Sequence, residues 1–391
     1  MLIALMAAAL ATLSLLGTAL ILRAFHRGRQ ALKQANEPSA FTVLVASGSA
    51  RGVAPELVRS TAVAQHDGPV SIRLAHLPQD TTTAPTLAEE TRTVPNLDAR
   101  ALSGSPPPRH FPDTWLASLA VGEERPPQWI LMDPCVRPSS RDLAPLSRAL
   151  AGSRQGMVAA CPCPVPGAST GGSRLKGRLV ADLVPILQGL SGAPGLPHAL
   201  TATRPDTLDA AVADPLALNR PSLSTAAAVS APMGTSLLLP LPVGCTTRVG
   251  TRSLADLFRE QTLFLSRHAP VRYALAGAWL ASLPATLAAW LLTDHVAVPM
   301  ALAVCTASRL ALAATWSRAI LGNQIASLGF ILSPVRDLLG LGLLLWSSLG
   351  ATVGRDDQRF RMRRGGVLTP VEGSLEEDFR LIRGRSRRGP R

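Results

Sequence analysis

Trp129-Ile-Leu-Met-Asp-Pro-Cys-Val-Arg-Pro-Ser-Ser140 is the stretch on which the fold turns. Four apolar residues, Trp129–Met132, read as a short buried strand, and Asp133-Pro134 ends it. A strand that closes on Asp-x-Asp presents two carboxylates to a divalent ion, and Mg²⁺ and Mn²⁺ prefer such oxygen ligands. Here Cys135 takes the second position. Two readings of Asp133 therefore stand: a metal ligand at a strand end, or a turn-forming Asp after a strand.

Working outward, Phe41–Ala46 reads as another buried strand, Pro55–Ala64 as a helix, Val70–Ala75 as a strand, Arg141–Leu150 as a helix and Met157–Ala160 as a strand. Strands alternating with helices predict an α/β domain with a mostly parallel sheet over residues 38–270. In such sheets ligands sit beyond the carboxyl ends of the strands, where Asp133 stands. Ser103–Arg109 and Pro162–Gly172 are dense in Pro, Gly and Ser and read as mobile loops.

Leu2–Leu22 carries no charge and is long enough to cross a bilayer as a helix. Arg23, His26, Arg27, Arg29 and Lys33 follow it, so the positive-inside bias makes residues 1–23 a retained anchor and places the next domain in the cytoplasm. Apolar runs return at Tyr273–Leu292, Val296–Thr315 and Phe330–Gly350, predicting membrane helices over 271–353. Residues 354–391 read as a basic cytoplasmic tail, with eleven Arg and six acidic residues from Arg355 onward. One anchor plus three spans would put that tail outside. One run is therefore expected to be re-entrant or interfacial, and the run holding Arg336 and Asp337 is the candidate. The expected location is the inner membrane, multi-pass, with domain and tail facing the cytoplasm.

Composition agrees with a membrane protein: 47% of residues are hydrophobic and mean hydropathy is +0.22. The formal charge of +13 comes almost wholly from Arg, with Lys33 and Lys176 the sole lysines. Aromatics make up 4%, too few to offer stacking platforms, so nucleic acid is not an expected partner. The odd set Cys135, Cys161, Cys163, Cys245 and Cys305 contains no C-x-x-C and reads as unpaired thiols facing a reducing compartment. Gly167–Gly177 lacks the spacing of a phosphate-cradling loop despite Lys176, and His110 and His198 have no partner spacing.

Pro334-Val-Arg-Asp-Leu-Leu339, Trp346-Ser-Ser-Leu-Gly350, Val353, Arg359-Phe-Arg361, Gly366 and Leu368 form a block of about 35 positions. This block resembles bacterial ceramide glucosyltransferase-like proteins, including the hopanoid-biosynthesis-associated glycosyltransferases. Thr42-Val-Leu44 then resembles the family's first strand, Pro55-Glu-Leu-Val58 its first helix and Ile130–Val136 its Asp-x-Asp strand. Val212–Asn219 resembles the segment that carries the general base, and Arg252–Arg267 the approach to a Gln-x-x-Arg-Trp motif.

The resemblance implies a GT-A-like sheet domain flanked by N-terminal and C-terminal transmembrane helices. It also implies a membrane-bound transferase that moves a sugar from a nucleotide-sugar donor to a ceramide-type or hopanoid-type lipid. On that reading Asp214 is the base, Asp133 holds Mg²⁺ or Mn²⁺ and the donor, and Asp80, Gln261 and Arg267 contact the nucleotide sugar. The departures lie in the charged chemistry. Cys135 replaces a carboxylate, Pro215 occupies the base position beside Asp214, and Phe264-Leu265 replaces Arg-Trp. The basic residue that the resemblance implies near Asp113 and Thr114 is not found at the matching position. The alternative is a catalytically lapsed homologue that serves as scaffold or partner for other membrane proteins of lipid synthesis. Helical spacing of Leu254, Leu257, Phe258 and Leu265 gives Gln261 and Arg267 a second reading, as polar positions on a packed amphipathic helix.

Overall fold

The computed structural model describes residues 1–34, 40–47, 70–81, 83–93, 97–107, 110–122, 125–133, 136–138, 142–164, 200–214, 219–230, 236–245, 248–249, 252–316, 333–355 and 358–371, with isolated positions besides. The expected helix Pro55–Ala64 and the Gly167–Gly177 stretch lie outside the described residues.

The strands of the main sheet are β1 (Phe41–Ser47), β2 (Val70–His76), β3 (Leu97–Ser103), β4 (Trp129–Met132), β5 (Val136–Arg137), β6 (Met157–Pro164), β7 (Leu200–Thr203) and β8 (Ser236–Cys245). The short β9 (Arg248–Val249) and β10 (Arg252–Ser253) pair separately, as do β11 (Thr352–Arg355), β12 (Gln358–Met362) and β13 (Leu368–Pro370). The helices are α1 (Leu2–Lys33), α2 (Thr83–Thr93), α3 (Pro112–Val121), α4 (Leu143–Gly152), α5 (Pro205–Ala213) and α6 (Leu223–Ser230). They continue as α7 (Leu254–His268), α8 (Pro270–Leu292), α9 (Ala297–Trp316) and α10 (Ser333–Leu349).

The main sheet has the order β3-β2-β1-β4-β7-β6-β8-β5. Its strands alternate faces with a period of two. Val43, Val45, Ile72, Leu74, Ile130, Met132 and Val158 pack against α4 and the last turn of α1. Leu44, Ala75, Trp129, Leu131 and Met157 pack against α3, α5 and α6. Both faces are therefore dry, which is why these strands are almost continuously apolar. β1 pairs in parallel with β2 and β4, and β2 with β3. The expected parallel sheet holds there, but β7 runs antiparallel to both β4 and β6. Leu200-Thr-Ala-Thr203 is too short and too mixed to announce itself.

Cys161–Pro164 belongs to a strand and not to the loop that its prolines suggest. β6 pairs with β7 only over Met157–Ala159, while its pairing with β8 continues to Pro164. Beyond Ala159 one edge of β6 has no partner strand among the described residues. Alternate residues point their N–H groups to one edge, so a bare edge accepts Pro162 and Pro164.

α1 is one continuous helix that runs ten residues past the boundary drawn at residue 23. Its first part packs on α8 and α9, and its last turns enter the sheet domain, where Ala31 joins the core. Gly17 lies against the Trp279 ring and Gly28 against the Leu238 carbonyl; a Cβ would clash at either site. Small residues of this kind let membrane helices approach closely. Among the described residues α1, α8 and α9 are long and apolar enough to cross a membrane. α10 has 17 residues and buries Arg336 and Asp337.

In the bundle Arg309 of α9 and Asp337 of α10 are both fully buried. Arg309 donates from Nε to Asp337 Oδ2 (2.7 Å), from Nη1 to Ser14 Oγ (3.1 Å), and from Nη2 to the Trp279 carbonyl (2.6 Å) and Ser282 Oγ (3.2 Å). Its guanidinium carbon also stands 3.3 Å from the centroid of the Trp279 ring. Arg336 donates to the other carboxylate oxygen through Nε (3.1 Å) and Nη2 (2.8 Å). One ion-pair knot thus ties α1, α8, α9 and α10 together, and every nitrogen of Arg309 has an acceptor.

The chain keeps its fold past residue 354. β11–β13 form an antiparallel sheet whose Phe360, Met362 and Leu368 pack with Leu263 and Phe264 of α7 and with Phe111. Gly366, at φ +80°, lies so close to the Phe264 ring that a Cβ would clash.

Candidate functional site

The sheet order reverses between β1 and β4, which are neighbours although β2 and β3 intervene in sequence. A crevice opens at such a switch point beyond the carboxyl ends of the strands. Ser47 pairs with His76, and Val45 with Met132, so the ends of β1, β2 and β4 lie together. Asp133 follows β4 directly and is half-buried. Its carbonyl accepts from the Val136 N–H at 3.0 Å, closing the turn into β5.

Asp80 stands four residues past the end of β2, at the same end of the sheet, and is 3% exposed. Its Oδ1 accepts from the Thr83 N–H at 3.1 Å, and its Oδ2 accepts from the Thr83 hydroxyl. It thus ties down the first residue of α2. His76 Nδ1 lies 4.0 Å from its Oδ2.

Asp214 ends α5 in an extended conformation. It is half-exposed, and its Oδ1 accepts from the Leu216 N–H at 3.0 Å. Arg267 is exposed on α7, and Gln261 lies within α7 with its side chain outside the described residues. Leu263, Phe264 and Leu265 are buried, so this helix is held mainly by packing. Each such side chain contributes about 1.5–3 kcal/mol on burial.

The structure adds residues that the sequence reading passed over. The helix of a strand-helix-strand unit runs back along the sheet, so the start of α3 lies at the ligand end. There the Thr114 hydroxyl donates to the Arg220 carbonyl at 2.8 Å. That contact reaches the backbone of Arg220, 106 residues further on, and not its guanidinium.

Arg220 is 7% exposed, and its Nε and Nη1 have no hydrogen-bond partner among the described residues. Burial holds its guanidinium below the ordinary arginine range, against the opposing pull of Asp214. His268, at the end of α7, is also held below the ordinary imidazole range, first by burial and then by the charges of Arg220 and Arg272. Phe264 stacks on its ring, with centroids 5.2 Å apart. Asp214, Arg220, His268 and Arg272 therefore share one electrostatic neighbourhood, where the sheet domain meets the first turn of α8. Only the numbering of Asn219-Arg220, just after the base segment, hinted at it.

Among the described residues no three His, Cys, Asp or Glu side chains come together to hold a metal ion. Asp133 alone does not make a cage for Mg²⁺ or Mn²⁺, and Cys135 lies outside the described residues.

No protein-family model matches the chain, and no curated protein matches it in sequence. Solved structures match its backbone. A Pyrobaculum calidifontis mannosyltransferase, in complex with GDP-Man and Mn²⁺, is 16% identical with a TM-score of 0.49, over 87% of this chain and 97% of that one. S. aureus TarS in complex with UDP-GlcNAc is 12% identical with a TM-score of 0.38, over 85% and 99%. M. tuberculosis glucosyl-3-phosphoglycerate synthase is 12% identical with a TM-score of 0.37, over 60% and 81%. The chain has a mostly parallel α/β sheet domain joined to membrane-length helices.

Proposed function

We propose that this chain is a membrane-bound glycosyltransferase that takes a nucleotide-sugar donor at the carboxyl end of its sheet. The acceptor on this reading is the hydroxyl of a membrane lipid of ceramide or hopanoid type, at the cytoplasmic leaflet. The observation that carries the reading is the switch point between β1 and β4, with Asp133 directly after β4 and Asp214 at the end of α5.

In the proposed step the acceptor oxygen attacks the anomeric carbon as the bond from that carbon to the diphosphate oxygen breaks. Asp214 accepts the hydroxyl proton; its Oδ1 is engaged by the Leu216 N–H, which orients the carboxylate. Asp133 orients the donor. No step runs through Mg²⁺ or Mn²⁺, because among the described residues no three His, Cys, Asp or Glu side chains come together to hold the ion. Lipid enters from α8, whose first turn carries Arg272.

A second reading, a lapsed relative that scaffolds other enzymes of lipid synthesis, is favoured by Asp80, whose two carboxylate oxygens both accept from Thr83. Titration of the full chain in detergent with UDP-GlcNAc and GDP-Man, with and without Mg²⁺, separates the two. Saturable binding that is lost in Asp133→Ala is expected. Absence of binding at millimolar donor leaves the scaffold.

A further inference from the structure

We propose that Arg220, His268 and Arg272 form a binding site for a phosphate ester at the seam between the sheet domain and the membrane helices. Arg220 supplies the main observation. A guanidinium more than nine-tenths buried, with Nε and Nη1 unpartnered, is costly to keep. No carboxylate lies within ion-pair distance of it among the described residues. A tetrahedral dianion matches the fork of donors that arginine presents, and such charge-assisted bonds are among the strong ones.

The surroundings hold the site in place. The Thr114 hydroxyl fixes the Arg220 carbonyl. Two residues on, Ser222 caps α6 through the Thr225 N–H at 3.1 Å, so a helix amino terminus, with its partial positive charge, starts beside Arg220. Phe264 stacks on His268 and fixes its plane. Among the described residues Asp214 is the one acidic group that pulls on Arg220, and it balances only part of the cationic charge. His268 is held below the ordinary imidazole range first by its burial and then by the charges of Arg220 and Arg272. An anion bound among them would relieve that repulsion.

The seam faces two sources of phosphate. The diphosphate of a nucleotide sugar reaches it from the crevice, and the headgroup of a phosphorylated lipid reaches it along α8. The site itself stands without the glycosyltransferase reading; only the first source rests on it.

The test uses the full chain in detergent micelles with inorganic pyrophosphate, and in phosphatidylcholine vesicles with and without phosphatidic acid. Arg220→Gln should weaken binding by about tenfold or more. Arg272→Gln, at an exposed position that cannot harm the core, should weaken it by a smaller factor. Arg154→Gln, an exposed change at the opposite end of the sheet, should leave it unaltered. Pyrophosphate binding lost in Arg220→Gln and Arg272→Gln supports the site and names the diphosphate source. Loss of a phosphatidic-acid preference in the same variants supports it and names the lipid source. Absence of both, or binding indifferent to both variants, overturns it. That last result leaves the glycosyltransferase reading intact if donor still binds through Asp133.

Discussion

Two buried arginines in this molecule are treated in opposite ways. Arg309, in the helix bundle, has an acceptor for each nitrogen, a carboxylate in contact and an aromatic ring beneath it. Arg220, at the mouth of the sheet, is nearly as deep and has two bare nitrogens. A buried charge whose partners are all built in holds structure together. A buried charge without them is complete only when something else arrives.

The largest effect tests the satisfied member of the pair. Asp337→Ala leaves Arg309 and Arg336 as uncompensated charges and should cost about 3–5 kcal/mol. Loss of folded protein in detergent, or a steep drop in thermal midpoint, would show it. A midpoint near that of wild type would mean that the knot is not what joins α1, α8, α9 and α10.

Gly366→Ala comes next. It forces a side chain into φ +80° and against the Phe264 ring, and the backbone term alone is about 1–2 kcal/mol. The small β11–β13 sheet should loosen from α7, raising hydrogen exchange in Gln358–Met362 while the main sheet stays protected.

Arg220→Met should move the other way. Exchanging a bare buried cation for an apolar chain of similar length should stabilise the fold by about 1 kcal/mol or more. Asp80→Ala removes the two hydrogen bonds from Thr83 at the start of α2 and should cost about 1 kcal/mol or more, read from the denaturant midpoint.

The smallest effect concerns His268. The groups that bear on it are Arg220 and Arg272, and Arg220 in turn feels Asp214. Its folded proton affinity lies below the unfolded value of about 6.5, so the unfolded chain binds the proton more readily. Stability is then complete above that value and falls as pH drops below it towards the folded pKa. His268→Gln should flatten this part of the pH–stability curve.

The contrast also shows what a sequence makes legible. Trp129–Met132 and Phe41–Ala46 are apolar on both faces, and that alone told of a covered parallel sheet. The charge-free run Leu2–Leu22 followed by Arg23 was equally plain. Asp133 could be named because it ends a strand with a clear pattern, and Asp214 because Val212–Asn219 resembles the segment that carries the general base. The antiparallel β7, the Pro-containing end of β6 and the sheet at 352–370 were hidden, because their pairing depends on distant partners and not on local periodicity. Arg220 was hidden for the same reason. Its depth comes from α3, α6 and α7 closing around it, and its lack of partners is a property of three-dimensional space. Arg309, by contrast, was conspicuous inside an apolar run, although its partner Asp337 could be named only as interfacial.

The most direct measurement is the thermal midpoint of wild type and Arg220→Met, each with and without inorganic pyrophosphate. The account predicts that the variant is the more stable of the two without ligand, and that only the wild type gains stability when pyrophosphate is added. A variant that is less stable than wild type, and that is stabilised by pyrophosphate to the same degree, would contradict it.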